Sequence, residues 1–223
     1  APDAGGFYFA TADGPRRLDA AGRLFPAAPA AFPSADARAM AGADDARWLG
    51  TANGLVETDG AVLTLGSDDI GGPCATVARR VGNNIWIGSE TGLRIQGPDG
   101  GVTPAPDGAL PGQNIKVIAE IGGEIWVGTD GGIGVLSTEG QPLRQITPDG
   151  TFPAGTVVDI VSGLPGEVWM GVASAGVVRL DAEGTYTPYA TIEGNFISDQ
   201  TTALAHDGAR LYIGTTIGIN VFN

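Results

Sequence analysis

The chain has 223 residues, 37 of them glycine and 15 proline, with a formal net charge of −13. An acidic surface repels phosphate backbones and anionic headgroups, so nucleic acid is excluded as a partner and anionic membranes are disfavoured. No stretch approaches the roughly 20 apolar residues of a membrane-spanning helix, and the one cysteine, Cys74, cannot form an intrachain disulfide.

In chain order, an aromatic-apolar-Gly pattern recurs. A degenerate first copy is Tyr8-Phe9-Ala10-Thr11-Ala12-Asp13-Gly14. Then come Trp48-Leu49-Gly50-Thr51-Ala52-Asn53-Gly54, Trp86-Ile87-Gly88-Ser89-Glu90-Thr91-Gly92 and Trp126-Val127-Gly128-Thr129-Asp130-Gly131-Gly132. A looser copy, Trp169-Met170-Gly171-Val172-Ala173-Ser174-Ala175-Gly176, is one residue longer, and Tyr212-Ile213-Gly214-Thr215-Thr216-Ile217-Gly218 ends the series. The aromatic positions lie 40, 38, 40, 43 and 43 residues apart. Self-similarity at this period means a repeat architecture, and a motif needed in every unit for packing is not a single active site.

The third unit reads as strands over 75–81, 84–89, 92–96 and 101–104, joined by Asn-, Asp- and Gly-rich turns. This is an antiparallel meander. Along Ile85-Trp86-Ile87-Gly88 side chains alternate between faces, and neither face is polar. A sheet apolar on both faces is covered on both. Sheets stacked around a ring achieve this, which predicts an all-β β-propeller of six blades of four-stranded antiparallel sheets. The expectation is one domain, 1–223, with units at about 1–36, 37–73, 74–113, 114–155, 156–199 and 200–223. The first blade lacks its inner strand and the last its outer strand, unless they share strands at closure. The Trp supplies contact to the adjacent blade, and the Gly two residues on lets that blade approach. The motif's last Gly suits positive φ, and its Thr or Ser can bond turn backbone.

These copies, and the run from Ala203 to Ile219 in particular, resemble the two-component regulator propeller repeat. The resemblance implies propeller blades and the setting of periplasmic sensors that recognise oligosaccharides. In that family the units are seven-bladed, and this chain is much shorter.

Function then falls to loops that differ between repeats. The connections from each fourth strand to the next first strand are long: 25–37, 67–73, 105–114, 147–155 and 191–200. They carry Asp36, Asp68, Asp69, Asp107, Asn114, Asp149, Glu193 and Asp199, with Phe32, Phe152 and Phe196 nearby. The turns between second and third strands add Asp13, Asn53, Glu90 and Asp130 to the same face. Three readings apply to this acidic face. Asp-Gly pairs form turns. Converging carboxylates could bind Ca²⁺, which takes six to eight oxygens, although no calcium-loop pattern is present. Aromatic and acidic residues together, read with the resemblance, suit a sugar or peptide; the candidate ligand residues are Asp68, Asp69, Asp107, Asn114, Asp149, Phe152, Phe196 and Asp199.

Catalytic side chains are scarce. His206 is the only histidine, in a turn on the opposite face, and Lys116 is the only lysine. One His and one Cys cannot make a multi-histidine metal site. The expectation is a non-enzymatic binding or scaffold module, without a cofactor, recognising a protein or glycan partner through the acidic loop face. The alternatives are a Ca²⁺-dependent hydrolase or lyase, and a structural subunit of a larger extracytoplasmic assembly docking through an open blade edge. The start at Ala1 without Met is what a mature secreted chain or a trimmed one shows, and the expectation is a periplasmic or secreted location; the chain is expected to act as a monomer or a subunit of a larger complex.

Overall fold

The structure is a computed structural model. It describes residues 6–9, 16–19, 21–26, 37–43, 46–51, 54–57, 63–72, 74–191 and 197–222. The chain divides into two compact units, Ala1–Pro104 and Ala105–Asn223.

In the first unit, β1 (Gly6–Phe9), β2 (Arg16–Asp19) and β3 (Leu24–Pro26) form a three-stranded sheet. A four-stranded sheet follows from β4 (Ala37–Ala43), β5 (Ala46–Thr51), β6 (Gly54–Glu57) and β7 (Leu63–Leu65). A single helical turn, α1 (Ser67–Ile70), leads to a second four-stranded sheet of β8 (Ala75–Val81), β9 (Asn84–Ser89), β10 (Gly92–Gln96) and β11 (Val102–Pro104). The sequence reading has a plain loop at 67–73. The helical turn forms because Ile70 buries completely while Asp69 Oδ2 accepts the Gly66 N–H at 2.9 Å.

In the second unit, β12 (Val117–Ile121), β13 (Glu124–Thr129), β14 (Gly132–Ser137) and β15 (Pro142–Ile146) make one sheet. β16 (Val157–Ser162), β17 (Val168–Val172), β18 (Gly176–Leu180) and β19 (Tyr186–Tyr189) make the next. β20 (Thr201–His206), β21 (Leu211–Thr215) and β22 (Gly218–Phe222) form a three-stranded sheet. Every sheet among the described residues is an antiparallel meander, and β22 is the outermost strand of the last.

The motif residues sit between sheets. Trp86, Trp126 and Trp169 are at most 4% exposed, and Tyr212 is half-buried. The side chain of Trp48 lies outside the described residues. A Cβ on Gly128 would meet Val157 Cγ1 at 2.9 Å and Val157 O at 3.0 Å, both in the following sheet. A Cβ on Gly171 would meet Thr201 Cγ2 at 2.9 Å, again in the following sheet. Absence of a side chain is what permits the approach. Gly50, Gly88 and Gly214 hold the same register, opposite Ala39, Val77 and Ala203 of their inner strands.

One set of packing partners repeats at three sheet-to-sheet junctions among the described residues. The residue after the motif's last glycine projects from the Trp/Gly face onto three positions of the following sheet. Leu55 packs in a cluster with Ala78, Ile85 and Ile87. Ile133 shares a cluster with Ile160, Val168 and Met170. Val177 shares one with Leu204, Leu211 and Ile213. Burying one such side chain is worth about 1.5–3 kcal/mol, so these junctions supply much of the core.

Candidate functional site: the turns and loops at one end of the sheets

In three of the described copies the motif's hydroxyl builds the turn after the second strand. Thr129 Oγ1 donates to Gly132 O at 2.9 Å and accepts the Gly131 N–H at 3.1 Å. Ser89 repeats this with Gly92 O and the Thr91 N–H, and Thr215 with Gly218 O and the Ile217 N–H. Gly132 (φ 127°) could carry no side chain, because a Cβ would strike Ile146 O. The looser copy has Val172 in place of the hydroxyl. There Thr201, from the following sheet, donates its own hydroxyl to Gly176 O at 3.0 Å. Ser174 in this longer turn has φ 65°, the one positive φ among described non-glycine residues.

The acidic candidates are engaged mainly with backbone. Asp149 Oδ1 accepts from Thr151 Oγ1 at 2.6 Å, Thr151 N at 2.9 Å and Phe152 N at 3.0 Å. The Thr151 hydroxyl and these backbone donors hold its carboxyl down to about 2, although it is exposed. Donors aimed at the charged form favour it. Asp199 clamps Thr191 through the N–H and the hydroxyl, each at 2.5 Å. Asp130 Oδ1 accepts the Asn114 N–H at 3.2 Å, and the buried Asn114 Oδ1 has no hydrogen-bond partner among the described residues. Asp107 is exposed at the tip of its loop, where Gln145 Nε2 ties Gly108 O at 2.6 Å. In the first unit Asp68 and Asp69 are exposed on α1, and Glu90 is exposed in its turn.

Phe152 corrects the sequence reading. Its ring is 1% exposed and meets Tyr186 edge-on, with centroids 6.2 Å apart. It anchors the 147–155 loop from beneath and offers no face to a ligand. Phe196, Phe32, Asp13, Asp36, Asn53 and Glu193 lie outside the described residues. Among the described residues, no three of His, Cys, Asp and Glu gather closely enough to hold a metal ion.

Two features were missed from sequence. Asp159 sits at a register shift in β16, where its Oδ2 accepts the Leu204 N–H of the next sheet at 2.7 Å and its Oδ1 its neighbour Ile160 N–H at 2.9 Å. Burial pushes its carboxyl above the usual range, against the pull of those two N–H groups. The signal was available: the positions paired with the motif glycine are otherwise Ala39, Val77, Val117 and Ala203. The second feature is a cleft of about 140 Å³ at the turns between first and second strands, lined by Leu164, Glu167, Trp169, Arg179, His206, Ala209, Leu211 and Phe222. Arg179 Nε lies 3.6 Å from Glu167 there, and His206 Nδ1 accepts the Gly208 N–H at 3.1 Å.

Meandering antiparallel sheets with a Trp/Gly junction define an all-β, propeller-like protein. The comparisons with solved structures give the same fold. The extracellular domain of BT4673 from B. thetaiotaomicron, assigned as a one-component system, superposes with a TM-score of 0.80 at 20% identity, over 99% of this chain and 31% of that one. PorZ, a surface component of the type-IX secretion system of Porphyromonas gingivalis, gives 0.75 at 17% identity over 100% of this chain and 37% of that one. Virginiamycin B lyase from Staphylococcus aureus gives 0.75 at 16% identity over 100% and 79%. The chain thus spans about a third of the length of the first two and about four fifths of the lyase. No family model matches the sequence, and no curated protein sequence matches it. Likeness at these identities carries fold, and function resides in the site grafted on it.

Proposed function

We propose that the chain is a non-enzymatic recognition module, exported from the cytoplasm, that binds a protein or glycan partner through its acidic loop face. The observation that carries this reading is how the loop carboxylates are used. Asp149, Asp199, Asp130 and Asp69 each accept from backbone N–H groups, so they fix loop shape. Loops held in one conformation cost less to order on binding. The extracellular domain and the secretion-system surface component among the similar folds support an extracytoplasmic setting. No helix among the described residues is long and apolar enough to cross a membrane.

The test is a melting screen against soluble glucans, pectins and glycosaminoglycans, with calcium chloride alone as a separate arm. A glycan-dependent rise in Tm that Asp107→Arg removes, with the melting of the free protein unchanged, supports the reading. Turnover of a type B streptogramin, or glycan turnover that requires calcium, replaces it with the lyase or hydrolase alternative.

A further inference from the structure

Two consecutive sheets of the second unit place a carboxylate and an arginine differently around the motif tryptophan. Glu124 and Glu167 hold the same position, two residues before Trp126 and Trp169. At Trp126 the arginine comes from the fourth strand: Arg144 pairs with Val135, which pairs with Trp126. Its guanidinium lies over the ring, 5.1 Å from the centroid, and donates to both Glu124 oxygens at 2.8 Å. At Trp169 the fourth-strand position is Thr187, and the arginine stands in the third strand as Arg179. From there it reaches neither neighbouring carboxylate for a hydrogen bond. Nε stops 3.6 Å from Glu167 Oε1 and Nη2 stops 4.0 Å from Asp181 Oδ2, and the buried Nε has no hydrogen-bond partner among the described residues. Glu167 Oε2 accepts the Leu164 N–H at 3.2 Å, which ties the turn and leaves Oε1 for another donor. The cleft of about 140 Å³ opens beside these groups.

We propose that this cleft binds a guanidinium group, carried by a small guanidino compound or by an arginine side chain of a partner, with Glu167 as its acceptor and Trp169 as its wall. The Trp126 sheet supplies the precedent, because the same carboxylate position beside the same aromatic position already holds a guanidinium there. Charge points the same way. Glu167 and Asp181 face one cation, Arg179, which leaves one negative charge uncompensated. Trp169 contacts Tyr189 and Phe222, with centroids 5.6 and 5.5 Å away, so the wall is aromatic, and the faces of such rings attract cations. Leu164 and Leu211 add apolar surface that suits a methylene stem. A cavity of about 150 Å³ takes benzene, a body the size of a guanidinium with its nearest methylenes. All of these walls belong to the first three strands and the turns of two sheets in one unit, at the end opposite the acidic loops.

The test titrates the protein with agmatine and follows the NMR signals of the His206 ring, which lines the cleft and is the only histidine of the chain. A second arm uses a blocked Gly-Arg-Gly peptide. Agmatine should give a saturable shift, and the peptide should do so too where the guanidinium belongs to a partner protein. Putrescine, with an ammonium in place of the guanidinium, should bind about tenfold more weakly or worse. Glu167→Gln keeps an acceptor for the Leu164 N–H and removes the charge, and should weaken agmatine by about tenfold or more. Arg179→Gln removes the competing cation and should tighten agmatine several-fold, with thermal melting as the check that each variant folds. Absence of a saturable shift with agmatine in the unaltered protein overturns the proposal. Equal binding of agmatine and putrescine overturns it as well, since charge attraction alone then accounts for both. Binding of benzoate in preference to agmatine, lost in Arg179→Gln, makes the cleft an anion site and overturns it equally.

Discussion

The hydroxyl of Thr201 donates to the carbonyl oxygen of Gly176 across two neighbouring sheets, at 3.0 Å. In the third, fourth and sixth motif copies the equivalent hydroxyl belongs to the turn's own sheet. Val172 cannot supply it, so the next sheet does.

Thr201→Val should therefore leave Gly176 O without its donor in a buried setting. A lost buried hydrogen bond costs about 1–2 kcal/mol, which lowers Tm by roughly 2–8 °C for a chain this size. Val172→Thr added to that variant should recover part of the loss, because it restores the motif's own hydroxyl. Equal melting of the single and double variants would show that the bond has no such role.

Gly128→Ala and Gly214→Ala place the same methyl at the same motif position. At Gly128 the new carbon meets Val117 Cγ1 at 2.5 Å and Val157 O at 3.0 Å. Overpacking of this kind costs about 1–3 kcal/mol. At Gly214 the nearest atom is 3.3 Å away, and a strand prefers almost any side chain to glycine. Thermal melting should show a clear loss for the first and little change for the second.

Asp149 has a folded value of about 2, against 3.8 for a free side chain. A depressed carboxyl contributes stability above the free value, and loses that contribution as pH falls through the folded one. The stability curves of the protein and of Asp149→Ala should thus differ at neutral pH and converge between pH 3.8 and about 2. Carboxyl-carbon NMR across that range gives the value directly, and a midpoint near 3.8 would contradict the cap.

Asp159 has the opposite sign. Its folded value is raised by burial, so its contribution is greatest at low pH and declines as pH rises through that value. Asp159→Asn removes this titration and gives one of two N–H groups, Leu204 or Ile160, a donor to face instead of an acceptor. The expected loss is about 1–3 kcal/mol, largest at low pH and smaller at neutral pH. Urea unfolding at two pH values measures it.

Much of the fold was legible because one motif position has one physical task in every unit. Trp126, Gly128, Thr129 and Gly132 fill a junction, admit the next sheet, tie a turn and turn the chain. The three-stranded first and last sheets also follow from where the pattern starts and stops. The loop face was harder to read. A loop Phe reads the same in sequence whether its ring is exposed or buried, and Phe152 is buried in a loop whose backbone Asp149 caps. Thr201 and Val172 are 29 positions apart, so their compensation is invisible to a pattern read one repeat at a time. Asp159 was visible as a lone carboxylate among Ala and Val, but its acceptor role depends on a register shift that spacing alone does not reveal.

The junctions inside each unit have a direction. A sheet's Trp/Gly face is closed by residues that come later in the chain, as Val157 closes on Gly128 and Thr201 on Gly171. During synthesis each finished sheet must hold an uncovered apolar face until the next repeat has emerged. With repeats of about 40 residues and synthesis at about 5–20 residues per second, that wait lasts roughly 2–8 s. Ile133 and Val177, fully buried once the next sheet has closed, are thus brief liabilities on the ribosome.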